Sequence, residues 1–320
     1  MKKNWKPILA LLVLSPLLTE LLAVNLPISV FFQPIVFLLL VTVGYGFPVL
    51  IIREIAIRKN FGLFGLFFLG LIYGLYNEAL LAKTIFHPFH SPIETFTAYG
   101  LVENIRVPWA LVISSWHSLY AVLFPIVFVH YLFPSSAQET WIGKKTAWVL
   151  AFISLVFGIS TFFRASPPEP RGQIVHFVVI LACWFILWWL AGRASKTPKI
   201  RYIKGVAFSW KNLNLGGMLC LVVLVIPLVF SIVNLELISF ILYFLLIATF
   251  GIHKLSKIQE IPLNKIVLIA LGAEVSLAIL TILVTLPFGK LEQAISSFVF
   301  VVIFTVIIFR LRKKTIQIKR

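Results

Sequence analysis

The chain has 320 residues, of which 60% are hydrophobic and only 12% charged, and its mean hydropathy is +1.02. Soluble domains carry roughly 25% charged residues, so a soluble globular domain, a disordered chain and a small disulfide scaffold are excluded together. The formal charge of +17 does not point to nucleic acid, because the basic residues sit at the ends of apolar runs and not on one face of a folded domain.

A membrane span needs roughly 20 mostly apolar residues. Ten are predicted, over residues 7–24, 33–52, 61–82, 108–132, 145–163, 173–192, 214–233, 235–252, 265–286 and 293–309. The fold class is therefore an all-α integral membrane protein, with about ten transmembrane helices in one bundle and a single transmembrane domain over 1–320. Its polar-rich helices 1–4 lie within 1–132 and its mostly apolar helices 5–10 within 145–309. Spans seven and eight are separated only by Asn234 and Glu236, so a hairpin and one long bent helix are both open. Lys2, Lys3 and Lys6 precede the first span as in a signal peptide, but its exit lacks a small-x-small cleavage pattern, and an uncleaved helix is expected.

Lysine and arginine set the orientation. With the N-terminus inside, Lys83, Arg106, Arg164, Arg171 and Lys290 fall outside, and the other 23 of the 28 basic residues fall inside. This places the protein in a cytoplasmic membrane with both termini cytoplasmic. The inner segment 193–213, with six basic residues, is expected to lie on anionic lipid headgroups; a docking site for a membrane-protein partner is the alternative.

Several chemistries lack their residues. All eleven acids are glutamate, which excludes aspartyl intramembrane proteases, Asp-rich magnesium-diphosphate prenyltransferases and ATPases that form an aspartyl-phosphate. No Gly-rich phosphate loop ending in Lys-Ser/Thr is present. Cys183 and Cys220 lie inside apolar runs and read as small buried hydrophobes. No cofactor is indicated.

Ionisable residues inside a bilayer are costly and mark candidate sites. In span one, Glu20 lies about 6 Å from the outer end, and Glu78 lies at a similar depth in span three. His117 is about 14 Å into span four, and His176 opens span six on the same side. These groups suit a pocket open to the outside, with Glu78, His117 and Glu20 as the catalytic candidates. Gly70, Gly74, Glu78 and Ala82 recur every four residues, so a neighbouring helix can approach closely and cover Glu78. Asn77 and Lys83 are supporting candidates. Glu274, in span nine, is expected either to hydrogen-bond across helices or to take part in proton coupling, and with His176 it is a binding candidate. On the loop between spans three and four, His87, His90 and Glu94 form a loose metal-ligand set.

Mid-span prolines occur at Pro16, Pro48, Pro125 and Pro227, and Gly44-Tyr45-Gly46-Phe47-Pro48 predicts a kink. Arg53-Glu54 and Arg58-Lys59 are expected to form an interfacial ion-pair cluster. Trp5, Trp109, Trp116, Trp141, Trp148 and Trp210 are expected to be interfacial anchors.

The stretches Ser15-Pro16-Leu17-Leu18-Thr19-Glu20-Leu21-Leu22, Ile52-Arg53-Glu54 and Tyr73 through Thr84 resemble a family of bacterial and archaeal multi-span proteins of uncharacterised function. The resemblance covers roughly the first 130 residues and implies location but no activity. A fainter resemblance is to the CAAX-protease-like membrane family, which activates water with a Glu-Glu-x-x-x-Arg helix and histidines on later helices. Here Asn77 stands in place of the first glutamate, and Lys83 replaces the arginine one position late. The Phe-x-x-x-His spacing occurs only at Phe86 and His90. Three functions are carried forward. The first is an intramembrane enzyme for a lipid, prenyl or peptide substrate, with Glu78 as general base, His117 orienting water and Glu20 as a second acid–base group. The others are a secondary transporter using Glu274 and a non-catalytic accessory membrane subunit.

Overall fold

The computed structural model describes residues 4–21, 28–31, 35–86, 99–164, 174–194, 198–202 and 208–319. The architecture is an all-α bundle. Among the described residues nine helices are long and apolar enough to cross a membrane: Phe37–Lys59, Leu63–Leu81, Val107–Leu132, Lys144–Phe163, Val175–Arg193, Trp210–Ile232, Leu237–Leu255, Leu263–Phe288 and Leu291–Lys313. The first predicted span is helical over α1 (Trp5–Pro16) and a π-helical turn at Leu17–Leu21, where the description stops. Spans seven and eight are separate helices. Asn234 adopts a left-handed conformation between them (φ 51°), which reverses the chain.

The predicted end of the second span is corrected. Arg53 and Glu54 do not stop it, and the helix runs on through α4 (Phe47–Lys59) to a left-handed Asn60. Two short pairings flank the bundle. Strands β1 (Leu101–Val102) and β2 (Ile105–Arg106) form a hairpin whose turn residues Glu103 and Asn104 both have positive φ. Strand β3 (Lys199–Arg201) pairs in parallel with β4 (Glu260–Pro262), holding part of the basic segment 193–213 against the bundle.

The span built from α6 (Val107–Trp116), a π turn at His117–Leu123 and α7 (Phe124–Leu132) is the axis of the molecule, 89% buried against 6% for Leu237–Leu255. Around it pack α1, α4, α5 (Leu63–Tyr76) and α13 (Leu263–Thr285). The outer helices α8 (Lys144–Arg164) and α9 (Ile174–Ala194) expose most of their apolar surface, as lipid-facing helices do.

All four mid-span prolines adjoin a π-helical turn. Pro16 precedes Leu17–Leu21, Pro48 follows Thr42–Gly46, Pro125 follows His117–Leu123, and Pro227 follows Leu221–Val225. Proline has no N–H to donate to the carbonyl four residues back, and the wider π register absorbs the missing bond. Neighbouring hydroxyls satisfy carbonyls released in this way. Tyr73 donates to Gly44 O (3.0 Å), four residues before Pro48, and Ser15 donates to Ala121 O (2.9 Å), four before Pro125. At Pro48 and Pro125 a polar residue of another span thus fastens the loosened turn.

The glycine face of α5 packs as the spacing predicts. A Cβ at Gly70 would lie 2.7 Å from Ser118 Cα, and one at Gly74 would lie 2.6 Å from Ser114 Cα. Two anchor assignments are corrected. Trp116 and Trp141 are 4% and 3% exposed and belong to the interior, whereas Trp5, Trp148 and Trp210 are exposed as expected. Cys220 is buried, but Cys183 is only half-buried.

Candidate functional site

Four polar residues of the candidate site sit in π-helical turns. Glu20 lies in Leu17–Leu21, Tyr45 in Thr42–Gly46, Glu78 in Asn77–Leu81 and His117 in His117–Leu123. Single π turns inside α-helices concentrate at functional sites, because they re-aim side chains and leave backbone groups open.

The Gly70–Gly74 contact sets spans three and four close together and antiparallel. Helical side chains lean toward their own N-termini, so Glu78 and His117 lean toward each other. His117 Nε2 lies 2.7 Å from Glu78 Oε1. Thr84 donates to Glu78 Oε2, and Trp109 Nε1 donates to Thr84 Oγ1 (2.9 Å). Both carboxylate oxygens are therefore engaged. A carboxylate accepts, so in the neutral form of the imidazole Nε2 carries the proton and Nδ1 keeps its lone pair. His117 Nδ1 is buried and has no hydrogen-bond partner among the described residues.

Aromatic rings enclose the dyad. Trp116 lies 4.8 Å from the His117 ring, Tyr73 meets it edge-on at 5.6 Å and Tyr45 lies 6.1 Å away. Tyr45 shares a side-chain hydrogen bond with Glu20 and also feels the charge of Glu78, which brings Glu20 into the same neighbourhood. Asn77 donates to the Tyr73 hydroxyl (3.1 Å). Arg106, carried by β2, is fully buried and feels the Glu78 charge. Burial lowers its guanidinium to about 10, and Glu78 opposes that shift.

The other sequence candidates fall elsewhere. Lys83, in a left-handed conformation, donates to Phe162 O (2.8 Å) on α8. His176 is buried against the Phe86 ring, 5.8 Å away. Glu274 is wholly buried beside Tyr120 and Cys220, and neither of its carboxyl oxygens has a hydrogen-bond partner among the described residues. His87, His90 and Glu94 lie outside the described residues. Among those described, no group of three His, Cys, Asp or Glu is placed to hold a metal ion.

Arg53, Glu54 and Arg58 form the expected ion-pair cluster, and its core is buried in the protein. Arg53 and Glu54 are 0% and 1% exposed. Arg53 donates to Glu54 Oε1 (2.6 Å), His130 Nε2 (3.2 Å), Ser136 O (3.2 Å) and Ala137 O (2.8 Å), with its guanidinium 3.6 Å from the centre of the Trp141 ring. Glu54 also receives Trp141 N (2.8 Å) and Arg58 Nη2 (3.3 Å). Full hydrogen bonding is what allows two charges to be buried here.

Sequence reasoning missed Thr84, Trp109, Tyr73 and His130. Tyr73 had a readable signal, since it lies four residues before Asn77 on the face that carries Gly70 and Gly74. Trp109 and His130 had none, because their partners are distant in the chain.

Fold and site together define a multi-span α-helical membrane protein with a buried carboxylate–imidazole pair. The chain belongs to a family described as an uncharacterized membrane protein family, whose model matches residues 9–318. It is similar to an uncharacterized protein of Archaeoglobus fulgidus, 25% identical over an alignment of 132 residues that covers 38% of this chain. The match spans 40% of that relative's length. No solved structure matches.

Proposed function

We propose that the protein is an intramembrane acid–base enzyme with its reacting centre at Glu78 and His117, acting on a lipid-soluble substrate in the outer part of the bilayer. The observation that carries this reading is the buried, unpartnered Nδ1 of an imidazole whose other nitrogen is held by a fully engaged carboxylate. That arrangement fixes the tautomer and presents one lone pair as a proton acceptor. Glu78 is the orienting group and His117 the base, an exchange of the roles expected from position alone. His117 Nδ1 takes a proton from water or a substrate hydroxyl, and Glu20, through Tyr45, is the second acid–base group. The basic-residue pattern supports a cytoplasmic-membrane location with both termini in the cytoplasm and segment 193–213 resting on anionic headgroups.

The test compares membranes holding equal amounts of wild type, His117→Gln and Glu78→Gln, with lipid and peptide fractions profiled by mass spectrometry. Removing a general base slows turnover by roughly 10²–10⁴-fold. A substrate–product pair should therefore shift with wild type and return to the protein-free ratio in both variants. A wild-type profile indistinguishable from the protein-free one, or a shift retained in both variants, contradicts the reading.

Glu274 favours a second reading, a proton-coupled carrier. A carboxyl buried without hydrogen bonds is most stable neutral, as a site loaded with a proton would be. Under this reading Glu274→Gln abolishes pH-driven uptake into proteoliposomes and His117→Gln does not.

A further inference from the structure

At the opposite end of the bundle from the dyad, a cavity of about 200 Å³ opens beside the buried Arg53 network. Six polar side chains line it: Arg53, Asn60, His130, Gln138, Lys199 and Tyr202. None belongs to the acid–base site above. The volume is below the roughly 300–1,000 Å³ of pockets for drug-sized ligands. It matches on the order of six or seven waters at about 30 Å³ each, which is room for one small polar ion.

Donors toward it come from Asn60, Gln138, Lys199 and Tyr202, because Arg53 bonds Glu54, His130, Ser136 and Ala137, and His130 bonds Tyr202. Arg53 Nε can only donate, so His130 Nε2 accepts (3.2 Å) and the imidazole proton sits on Nδ1. Nδ1 therefore donates to the Tyr202 oxygen (3.0 Å), and the Tyr202 O–H proton has no acceptor among the described residues. Glu54, the acid of this network, is turned away. It does not line the cavity, and its oxygens are occupied by Arg53, Arg58 and Trp141 N. Charge here is net positive: Arg53, Arg58 and Lys199 stand against Glu54, and Glu260, opposite Lys199 in the strand pairing, is matched by Arg201. At the end of α4 the carbonyls of Ala56 and Ile57 are taken by Phe61 N and Asn60 N, so they do not offset it. Pairing of β3 with β4, and a bond from Leu63 N to Pro198 O (2.9 Å), hold Lys199 and Tyr202 in place.

We infer that this cavity is a binding site for a phosphoryl oxyanion, either free phosphate or the phosphomonoester headgroup of a lipid, held by the Tyr202 hydroxyl and the Arg53–Lys199 charge. A tetrahedral dianion matches several converging donors around one small space better than a planar monoanion does.

The test measures thermal stabilisation of the purified full-length protein in uncharged detergent. It uses inorganic phosphate, with sodium chloride at matched ionic strength as control. A second arm uses micelles doped with phosphatidic acid against micelles doped with phosphatidylcholine. Saturable stabilisation by phosphate beyond chloride assigns the free ion. Stabilisation by phosphatidic acid alone assigns the lipid headgroup. Both support the site. Tyr202→Phe keeps the ring and removes one hydrogen bond to a charged group, so affinity should fall about 10- to 100-fold. Lys199→Gln should weaken binding while leaving the melting temperature without ligand unchanged. No stabilisation by either ligand beyond its control, or wild-type affinity in both variants, would overturn the proposal.

Discussion

Two histidines on one span meet opposite partners at Nε2. His117 faces the Glu78 carboxylate there, which in the neutral imidazole puts the proton on Nε2, whereas His130 accepts at Nε2 from Arg53. One exposes a lone pair and the other relays a donor outward through Tyr202. The same logic of matched donors governs the prolines. Ser15, fully buried, caps the Ala121 carbonyl released ahead of Pro125. Ser15→Ala leaves that acceptor buried and unpaired, which costs about 1–3 kcal/mol. Denaturation in detergent should show a loss of that size, and an unchanged midpoint would mean that the hydroxyl does not hold the turn. At this scale the sequence was informative about identity but not about partners. Glu20, Glu78, His117 and Glu274 stand out because each interrupts an apolar run. Which nitrogen of a histidine is bare depends on a residue 39 or 77 positions away.

Span three shows how an element brings a site together. Its small residues recur every four positions, and the structure uses that face to seat span four almost backbone to backbone. Gly74→Ala places a methyl group 2.6 Å from Ser114 Cα and must push the spans apart, at about 1–3 kcal/mol. It also lengthens the Glu78–His117 contact. Gly251, in α12 (Leu237–Ser256), is a matched control, because a Cβ there meets nothing within 4 Å. Gly251→Ala should leave stability unchanged or raise it by about 0.5–1 kcal/mol. Equal melting behaviour of the two variants would contradict close packing at Gly74. The glycine face was legible because packing of this kind has a four-residue period. The π turns were only half legible. Proline announces a lost hydrogen bond, but not whether the helix kinks or widens, and the turn at Asn77–Leu81 contains no proline at all.

Over the whole molecule, polarity and burial follow each other. The span that carries both His117 and His130 is the most enclosed, and helices with few polar residues, such as α12, lie at the periphery. Hydropathy and the basic-residue pattern made the all-α membrane class readable, because lipid imposes segment length and charge placement directly. The burial of the Arg53–Glu54 ion pair was not legible, for a related reason. Arg53 and Glu54 look like the end of a span, since charge ordinarily marks the interface. Here Glu54, His130, Trp141 and two backbone carbonyls replace water around the guanidinium, so the helix keeps its charges and runs a further turn and a half. Only tertiary contacts supply that exchange. The result is a bundle with a carboxylate–imidazole dyad toward one end, a carboxyl buried without hydrogen bonds among the described residues beside the central span, and a polar-lined cavity at the other end.

The most direct test of the central claim is the protonation pattern of His117. Protein with ¹⁵N-labelled histidine, reconstituted in lipid, would be compared by magic-angle-spinning NMR with His117→Gln to assign the resonance. The account predicts a neutral His117 with its proton on Nε2 and a bare Nδ1, and a changed Nε2 signal in Glu78→Gln. A proton on Nδ1 in the wild-type protein, or a His117 spectrum indifferent to Glu78→Gln, would contradict it.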